Sequence, residues 1–375
     1  MKQHDFRPRL IAGLDELPAL KSEWEGLLRR CAEPIIFLEW DWCKSWLEYF
    51  REQAWIVAIR DGTGTLRGLA PWTLGQRPLL REIHFIGSGL TQADHLDILA
   101  APEDRDAVDA CIADFLVENR KAWDLLNLSG LSETSSLPEA LRSRLGQELQ
   151  RADTPCPYIS FAGIDDWAHF QKTRLSSHMR SKGLRYLQNV LKRENPEQVF
   201  YEQITDPEAL GPALSCLIEQ HQQRWAEKET YTPFEDPAFL DFHRNFARIA
   251  LAQGWLGLYR LRIAEATIAT VYGFHYGGKF YDYQHALDNR WSKFSPGRQL
   301  IAHIVEKCIS RGATEYDFLC GTEKYKYSWT ATERHDRNLL WASGWRGQIP
   351  LLALRAKDAL KRWRDRHAAS AGSDQ

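Results

Sequence analysis

Two widely separated stretches of this chain follow the same order of sequence patterns. The segments AWIVAIR and GWLGLYR each begin with a small residue and a tryptophan (Trp55 and Trp255), end in arginine, and open a strand pair. Each is followed later by a helical pattern and a seven-residue apolar strand that stops at glycine: DLLNLSG at Gly130 and EYDFLCG at Gly321. Either sequence match alone arises easily by chance between two buried strands. Because the order of elements is shared, we predict a diverged internal duplication.

The length and composition agree with two packed units. The chain has 375 residues, of which 44% are hydrophobic, so it exceeds a typical single domain and can fill real cores. In each half, the hydrophobic periodicity predicts a mixed α/β unit in which helices flank a central sheet. The segment RADTPCPY has two prolines and little pattern. We therefore place the boundary near Thr154 and expect lobes of residues 1–154 and 155–375.

Charge and targeting signals limit the class of partner. The 48 basic and 50 acidic side chains leave a net charge of -2, so no global field draws the chain to DNA or to a membrane. Any electrostatic recognition must therefore be local. The amino-terminal sequence lacks the apolar core of a signal peptide, and no stretch reaches the roughly 18 apolar residues of a spanning helix. We expect a cytoplasmic protein that does not insert into membranes.

The cysteine pattern gives no sign of a metal site. Seven cysteines show neither a CxxC pair nor metal-finger spacing. We expect reduced, packed thiols, including Cys320, because no histidine and asparagine partners can be placed beside it. The segment ADHLD at residues 93–97 offers carboxylates and an imidazole, but no further ligand spacing supports it. We therefore predict no bound metal.

A polar loop that leads into a helix is the first feature that indicates chemistry. Ser295, Pro296 and Gly297 precede a helix predicted from Arg298 to Arg311. Free backbone N–H groups and the positive end of a helix favour an anion, such as a phosphate or a thioester oxygen. An ordinary helix start explains the same residues, since serine is a common N-cap and proline is favoured in the first turn.

Polar residues lie at the end of the next predicted strand, EYDFLCG, and in the turn after it. Ligands of parallel α/β sheets bind beyond the carboxyl ends of strands. An acyl transfer needs a base for the acceptor proton, and either Glu323 or Asp317 fits that role. Lys326 or Tyr325 is suited to stabilise the oxyanion or to protonate the leaving thiolate. The alternative is a solvated charged turn whose aromatic side chains fill the junction between the lobes.

A basic helix and a histidine complete the candidate site. In the predicted helix at residues 176–193, Arg180 and Arg185 lie beside an apolar row spaced at three and four residues. Its charged face suits a phosphate-bearing donor, a carrier protein or RNA, although such charges often serve only solvation. His275, on a predicted strand, titrates near neutrality and is a further candidate base. Histidines of this kind are more often hydrogen-bonded structural residues.

The sequence FSPGRQLIAHIVEKCISRGATEYDFLCGTEKYKYSW resembles the pattern of the CelD/BcsL-like family. The shared features are Ser-Pro-Gly, a helix, a strand with Asp-Phe, Gly-x-Glu-x-Tyr-Lys and the nearby Trp329. The likeness extends to the basic helix, to IATVYGFHYGGKFYDYQHALD and, in the first half, to the hairpin and ADHLDIL. The family is associated with bacterial cellulose and exopolysaccharide production. The resemblance implies two GNAT-like lobes, related to the FemAB enzymes, and direct acyl transfer, typically from acetyl-CoA.

One departure from the GNAT pattern leaves the donor open. The Q/R-x-x-G-x-G/A pyrophosphate loop is absent before the predicted helix, where SPGRQL stands. We therefore expect an N- or O-acyltransferase for polysaccharide or cell-envelope biosynthesis, with acetyl-CoA or acyl-CoA as co-substrate and a small-molecule or saccharide acceptor. The alternatives are a FemAB-like transferase that uses aminoacyl-tRNA or acyl-carrier protein, and a non-catalytic accessory protein of a polysaccharide synthase. The residues expected at the donor are Ser295, Gly297, Arg298, Trp329, Arg180 and Arg185.

Overall fold

The computed structural model describes residues 5–77, 80–195, 198–226 and 232–356. The amino-terminal strands are β1 (Arg7–Ile11), β2 (Gln53–Ala54), β3 (Ile56–Arg60), β4 (Leu66–Ala70), β5 (Trp72–Arg77), β6 (Leu80–Phe85), β7 (Leu99–Ala100), β8 (Leu125–Leu131) and β9 (Leu149–Gln150). The helices of this part are α1 (Leu17–Leu28), α2 (Trp40–Phe50), α3 (Arg105–Glu118) and α4 (Leu137–Leu145).

The remaining elements begin at residue 154. The strands are β10 (Thr154–Ser160), β11 (Val199–Gln203), β12 (Leu256–Ile263), β13 (Ala266–Tyr276), β14 (Lys279–Leu287), β15 (Glu315–Asp317) and β16 (Glu333–Ala342). The helices are α5 (Trp167–Arg174), a π-helical segment (Met179–Tyr186), α6 (Leu187–Glu194), α7 (Pro207–Ala226), α8 (Pro237–Ala252), α9 (Pro296–Ser310) and α10 (residues 344–356). Short 3-10 helices include Gly89–Thr91, Pro233–Glu235, Asn289–Phe294 and Lys326–Ser328.

The two lobes repeat one order of elements, which confirms the predicted mixed α/β fold. An antiparallel pair (β3 with β4, or β12 with β13) is followed by a strand, a helix and a second strand parallel to the first, with β5 and β7 as additional strands in the amino-terminal lobe. In the first lobe the parallel strands are β6 and β8, linked through α3; in the second they are β14 and β15, linked through α9. The tryptophans at the start of each repeat, Trp55 and Trp255, thus occupy corresponding places.

One large sheet runs through both lobes. Its strand order is β11-β12-β13-β14-β15-β10-β16-β8-β6-β5-β2, with β9 also paired to β16, and a smaller sheet has the order β1-β3-β4-β7. Strand β16 joins the lobes: its first part pairs with β10, and its second part pairs with β8. Helices α2 and α8 pack together across the lobes, where the Trp42 ring lies 4.8 Å from the rings of both Phe242 and Phe246.

Local structure differs from the sequence-based expectation in three places. RADTPCPY, expected to lack regular structure, enters strand β10 because Pro155 and Pro157 need only accept hydrogen bonds there, from Gly321 N and Phe318 N respectively. The single helix expected at residues 176–193 is divided into the π-helical segment and α6. Strand β16 was not expected at all. Within the described ranges, none of the helices combines the length and apolar character that a membrane crossing requires.

Close strand packing makes Gly273 sensitive to substitution. A Cβ at this position in β13 would lie 2.2 Å from the backbone oxygen of Tyr281 on β14, which cannot yield without disturbing the sheet. We expect Gly273→Ala to lower the free energy of unfolding by about 1–3 kcal/mol. Gly211→Ala is the matched control, because a Cβ at this exposed position in α7 meets nothing within 4 Å and should stabilise the helix by up to about 1 kcal/mol. Urea denaturation of both variants checks the sign; equal losses would contradict the packing argument.

Candidate active site

A cleft opens where β14 and β15 separate. The two strands pair in parallel only from Lys279 to Tyr281, and the chain beyond β15 turns to β10, where Phe318 N donates to Pro157 O at 3.0 Å. The resulting cleft has a volume of about 1020 Å³ and is lined from both lobes. Its walls include Gln92, Asp94, Ser129 and Gly130 from the first lobe, and His221, Arg224, Asp282, His285, Glu323, Tyr325 and Lys326 from the second.

The structure brings three predicted catalytic residues together at this cleft. Lys326 is buried, and its Nζ donates to the backbone oxygens of Leu319 at 3.2 Å and Cys320 at 2.9 Å. The same Nζ forms an ion pair with Glu323 at 3.0 Å, while the Glu323 side chain remains 57% exposed. These contacts fix the turn that follows β15. The ring of Tyr325 lies 5.5 Å from that of His285 on the opposite strand.

Asp317 occupies a buried ion cluster below the cleft wall. Its Oδ2 lies 3.0 Å from His95 Nε2 and 3.5 Å from Arg334 Nη2. Asp336 holds the other side of the imidazole: its Oδ1 is 2.8 Å from His95 Nδ1, and its Oδ2 accepts the backbone N–H of His95 at 2.6 Å. The carboxylates thus clamp His95 from both sides, which suits Asp317 to positioning and not to contact with a substrate.

The pKa values of this cluster follow from its charges. Burial alone would lower the pKa of His95, but the Asp317 and Asp336 carboxylates outweigh it and raise that pKa well above its ordinary value. Burial would raise the pKa of Asp317, but His95 and then Arg334 hold it below its ordinary value. The imidazole is therefore protonated and Asp317 ionised at neutral pH.

Asp94 is the half-buried acid that connects this cluster to the cleft. Its Oδ2 accepts the backbone N–H of Cys320 at 2.8 Å. Burial, followed by the negative charge of Asp336, raises the pKa of Asp94 to about 7, with His95 opposing the shift. A carboxyl group that titrates near neutrality at a cleft is suited to general base catalysis. In the sequence, the segment ADHLD indicates carboxylate and imidazole ligands and gives no sign that Asp94 is a base.

The prediction of reduced thiols is wrong for one pair of cysteines. Cys156 and Cys320 form a disulfide although 164 positions separate them. The pairing follows from the sheet, because Cys156 lies on β10 and the chain after β15 continues along that strand as far as Gly321. Among the described residues, Cys31, Cys43, Cys111, Cys216 and Cys308 are free thiols.

Two overlapping groups of side chains have the composition of metal ligands. The ligand atoms of His95, Cys156 and Asp336, and those of Asp94, Cys320 and Asp336, lie within 4.8 Å of one another in each group. The disulfide occupies both sulfurs, and carboxylates pair with both ring nitrogens of His95. Neither group therefore presents an open set of ligands in this state.

Two histidines line the second-lobe wall of the cleft. His285 Nε2 hydrogen-bonds to Asp282, whose other carboxylate oxygen accepts from the Tyr316 hydroxyl at 2.9 Å. His221 contacts the Thr232 hydroxyl at 2.9 Å through Nδ1 and accepts from the Trp225 indole at 3.1 Å. Burial and then Arg224 lower the pKa of His221 to about 4, so this ring is neutral at physiological pH.

The residues predicted for the donor fall into two groups. Arg298 and Gln299, in the first turn of α9, lie against the π-helical segment: a Cβ on Gly183 would be 3.5 Å from Arg298 Nη1, and Gln299 Nε2 donates to Gly183 O at 3.3 Å. A Cβ on Gly297 would meet Leu287 of β14 at 3.0 Å, so this glycine allows close helix–strand packing. Trp329 is buried in the second-lobe core.

Arg180 and Arg185 lie on a second cavity of about 530 Å³, between the basic helical region and α9. Arg180 Nη1 donates to the backbone oxygens of Gln171, Lys172 and Leu175, so it stabilises the end of α5. Ser295 takes a left-handed conformation with φ 48° and makes no side-chain cap to α9.

His275 lies away from the cleft. It pairs with Phe280 at the opening of β14, whereas the cleft borders the later residues of that strand. Its Nε2 is 2.8 Å from the Tyr259 hydroxyl, and burial, aided by Arg311, lowers its pKa to about 4. The structure therefore separates His275 from Glu323, Tyr325 and Lys326.

The two-lobed mixed α/β fold recurs in solved structures that align with most of this chain. FemX aligns with a TM-score of 0.62 at 11% identity, covering 92% of this chain and 99% of FemX. The carboxy-terminal domain of a putative lysylphosphatidylglycerol synthetase from Agrobacterium fabrum gives 0.54 at 10% identity, covering 91% and 96%. A protein of unknown function from Bacteroides thetaiotaomicron gives 0.57 at 11%, covering 89% and 100%. At these identities the likeness concerns the fold alone.

One part of the chain also has a sequence relationship. Residues 178–327 match the model of the Acetyltransferase (GNAT) domain, which covers the basic helix, β14, α9, β15 and the turn with Glu323. No curated protein is detectably similar in sequence. The matched residues thus include the second-lobe wall of the cleft.

Proposed function

We propose that this protein transfers an acyl group from a thioester donor, acetyl-CoA or a longer acyl-CoA, to an amine or hydroxyl acceptor. The observation that carries the proposal is the cleft where the gap between β14 and β15 meets Asp94 and the turn from Glu323 to Lys326. We expect the acceptor to belong to polysaccharide or cell-envelope biosynthesis, as the resemblance to CelD/BcsL-like sequences implies. The match to a GNAT domain supports acyl transfer as the reaction class.

The donor fits the second-lobe side of the cleft. Among the described residues, β14 has no strand partner on its β15 side beyond Tyr281, so its backbone groups are free for an extended donor arm. Helix α9 begins one short helix beyond the end of β14, and its positive end favours the donor's phosphates. Arg298, in the first turn of α9, supplies further positive charge.

Asp94 is the proposed base. The acceptor nitrogen or oxygen forms a bond to the thioester carbonyl carbon, Asp94 takes the acceptor proton, and the C–S bond breaks. Tyr325, on the facing wall, is placed to give a proton to the leaving thiolate, and it is reprotonated through solvent as Asp94 releases the proton taken from the acceptor. Lys326 and its pair with Glu323 hold the turn that carries Tyr325, and the clamp on His95 holds the segment that carries Asp94. This assignment moves the base from Glu323 or Asp317 to Asp94.

Calorimetric titration with acetyl-CoA and longer acyl-CoAs tests the donor site. We expect micromolar binding, lost at least tenfold in Gln284→Trp, because Gln284 lies on the open part of β14 in the cleft. Gln188→Trp is the matched control: it places the same bulk in the second cavity and should leave the affinity unchanged. If Gln188→Trp lost affinity for acyl-CoA and Gln284→Trp kept it, the donor would be assigned to the second cavity.

A FemAB-like transferase remains the second candidate, because Arg180, Arg185 and Lys192 all line the second cavity and suit a phosphate-rich donor. That function predicts no affinity for any acyl-CoA and binding of aminoacyl-tRNA that weakens steeply with salt. A non-catalytic accessory protein of a polysaccharide synthase would bind neither donor, and Asp94→Asn would leave its behaviour unchanged.

A further inference from the structure

Helix α10 is attached to the first lobe by one face. Leu351 packs with Leu125 of β8 and Leu340 of β16 in a small apolar cluster. At Gly347 the helix approaches β8 so closely that a Cβ would lie 1.8 Å from the backbone oxygen of Asp124. These contacts fix which face of α10 is turned away from the protein.

The outward face of α10 carries an apolar stripe. Trp345 is 71% exposed, Ile349 57% and Leu352 58%, which makes them the three most exposed large hydrophobic side chains of the described residues apart from Tyr186. Their spacing of four and three residues puts them on one side of the helix. Soluble monomers rarely expose contiguous apolar side chains of this size unless the surface binds something.

Positive charge flanks this stripe on α10 and is concentrated in the sequence that follows the helix. Arg346 and Arg355 are exposed on α10, and the guanidinium of Arg346 lies 5.5 Å from the Trp345 ring. Residues 344–367 contain seven basic and two acidic side chains, a net charge of +5, although the whole chain carries -2, so the remaining residues carry -7. The basic side chains in this range are Arg346, Arg355, Lys357, Lys361, Arg362, Arg364 and Arg366.

We propose that α10 lies on the surface of a membrane that contains anionic lipids. An amphipathic helix with tryptophan on its apolar side and arginine and lysine beside it enters the boundary between headgroups and acyl chains. The cations then meet acidic phosphates, which strengthens binding by about five-fold per side chain near the surface. A protein groove would cover the apolar stripe but gives no reason for so many adjacent cations. This inference is independent of the proposed acyl transfer.

The attachment leaves the cleft open. Ala342, just before α10, pairs with Leu125 at the beginning of β8, whereas Gly130 near the other end of that strand lines the cleft. Five residues of strand separate these points, a distance of roughly 17 Å. A membrane below α10 therefore lies at the opposite end of β8 from the cleft, and donor binding should be unaffected by vesicles.

Vesicle flotation of the full chain tests the proposal. We expect at least tenfold stronger binding to vesicles of phosphatidylglycerol and phosphatidylcholine than to phosphatidylcholine alone, declining as salt is added. The variant Trp345→Glu/Ile349→Glu/Leu352→Glu should lose this binding at least tenfold. Arg346→Glu/Arg355→Glu should weaken it with little effect on phosphatidylcholine. Phe200→Glu, an exposed hydrophobic position on β11, is the control and should bind as the wild type.

Three outcomes would overturn the proposal: no flotation with anionic vesicles, equal flotation with neutral ones, or full binding by the triple variant. Analytical ultracentrifugation tests the alternative that a second copy of this chain covers the apolar stripe. A dimer that the triple variant abolishes, without any vesicle binding by the wild type, would assign the stripe to a second copy of this chain. Circular dichroism melting of each variant verifies that it is folded.

Discussion

Asp94→Asn is expected to lower the rate of acyl transfer by about 10²–10⁴-fold, the usual contribution of a general base, with donor affinity unchanged. Asparagine keeps the shape of the side chain and can still accept the hydrogen bond from Cys320 N, so the fold should persist. Steady-state turnover and calorimetric donor titration on the same preparation separate the two effects. Glu323→Gln is the comparison, with less than a tenfold loss expected, because the exposed Glu323 carboxylate is already paired with Lys326.

The pH dependence of the transfer rate tests the role of Asp94 independently. Burial and the charge of Asp336 put the pKa of Asp94 at about 7, so the wild-type rate should rise as pH increases through 7 and Asp94 loses its proton. The residual rate of Asp94→Asn should lack this rise. A variant that keeps both the rate and the profile would remove Asp94 from the mechanism, and an equal loss in Glu323→Gln would return the role to that residue.

His95→Asn should lower the free energy of unfolding by about 3–5 kcal/mol, because it removes the cation that the buried carboxylates of Asp317 and Asp336 share and leaves Asp317 only the more distant Arg334. Urea denaturation at pH 7 measures the change. As a control, Arg290→Gln removes an ion pair between an exposed arginine and Asp288 and should leave the urea midpoint nearly unchanged. A small effect of His95→Asn would mean that water or rearrangement compensates the buried charges.

The same cluster predicts how stability depends on pH. Folding raises the pKa of His95 above its ordinary 6.5, so its stabilisation is fully present below 6.5 and is lost as pH rises through the folded-state pKa. Folding lowers the pKa of Asp317 below its ordinary 3.8, so its stabilisation is present above 3.8 and is lost as pH falls through the folded-state pKa. Asp94 acts within the same window, because folding raises its pKa from the ordinary 3.8 to about 7, so its contribution to stability is lost as pH rises towards 7. Urea midpoints of the wild type should therefore decline with rising pH above 3.8, and His95→Asn should flatten the part of that decline above 6.5.

The repeated order of elements was predictable because each lobe encodes it locally. Trp55 and Trp255 mark the opening strands, whereas the expectation of seven-residue strands that stop at glycine is only approximate: β8 continues past Gly130 to Leu131, and β15 ends at Asp317, before Gly321. Hydrophobic periodicity also located a long helix: α9, observed from Pro296 to Ser310, was predicted from Arg298 to Arg311. Elements defined by their own sequence period are accessible in this way, since no distant residue is needed to recognise them.

The centre of the site could not be predicted, because its partners are far apart along the chain. His95 and Asp336 are separated by 241 positions, and β10 brings Cys156 to Cys320 across 164. A sequence pattern cannot report such pairs. The turn with Glu323, Tyr325 and Lys326 was found because its residues are consecutive and follow a strand, whereas Asp94 lies in the other lobe. Its raised pKa depends on burial that only the assembled structure provides.

Strand β16 has a consequence for how such a chain can be divided. It borders β10 along one part and β8 along the next, so a cut at any single peptide bond between the lobes leaves the first lobe without its neighbouring strand. The amino-terminal lobe is completed by a strand that is synthesised after every other strand the structure describes. Exchange of one lobe between related genes would therefore succeed only when β16 comes from the same gene as both β8 and β10. The two lobes should accordingly be inherited together.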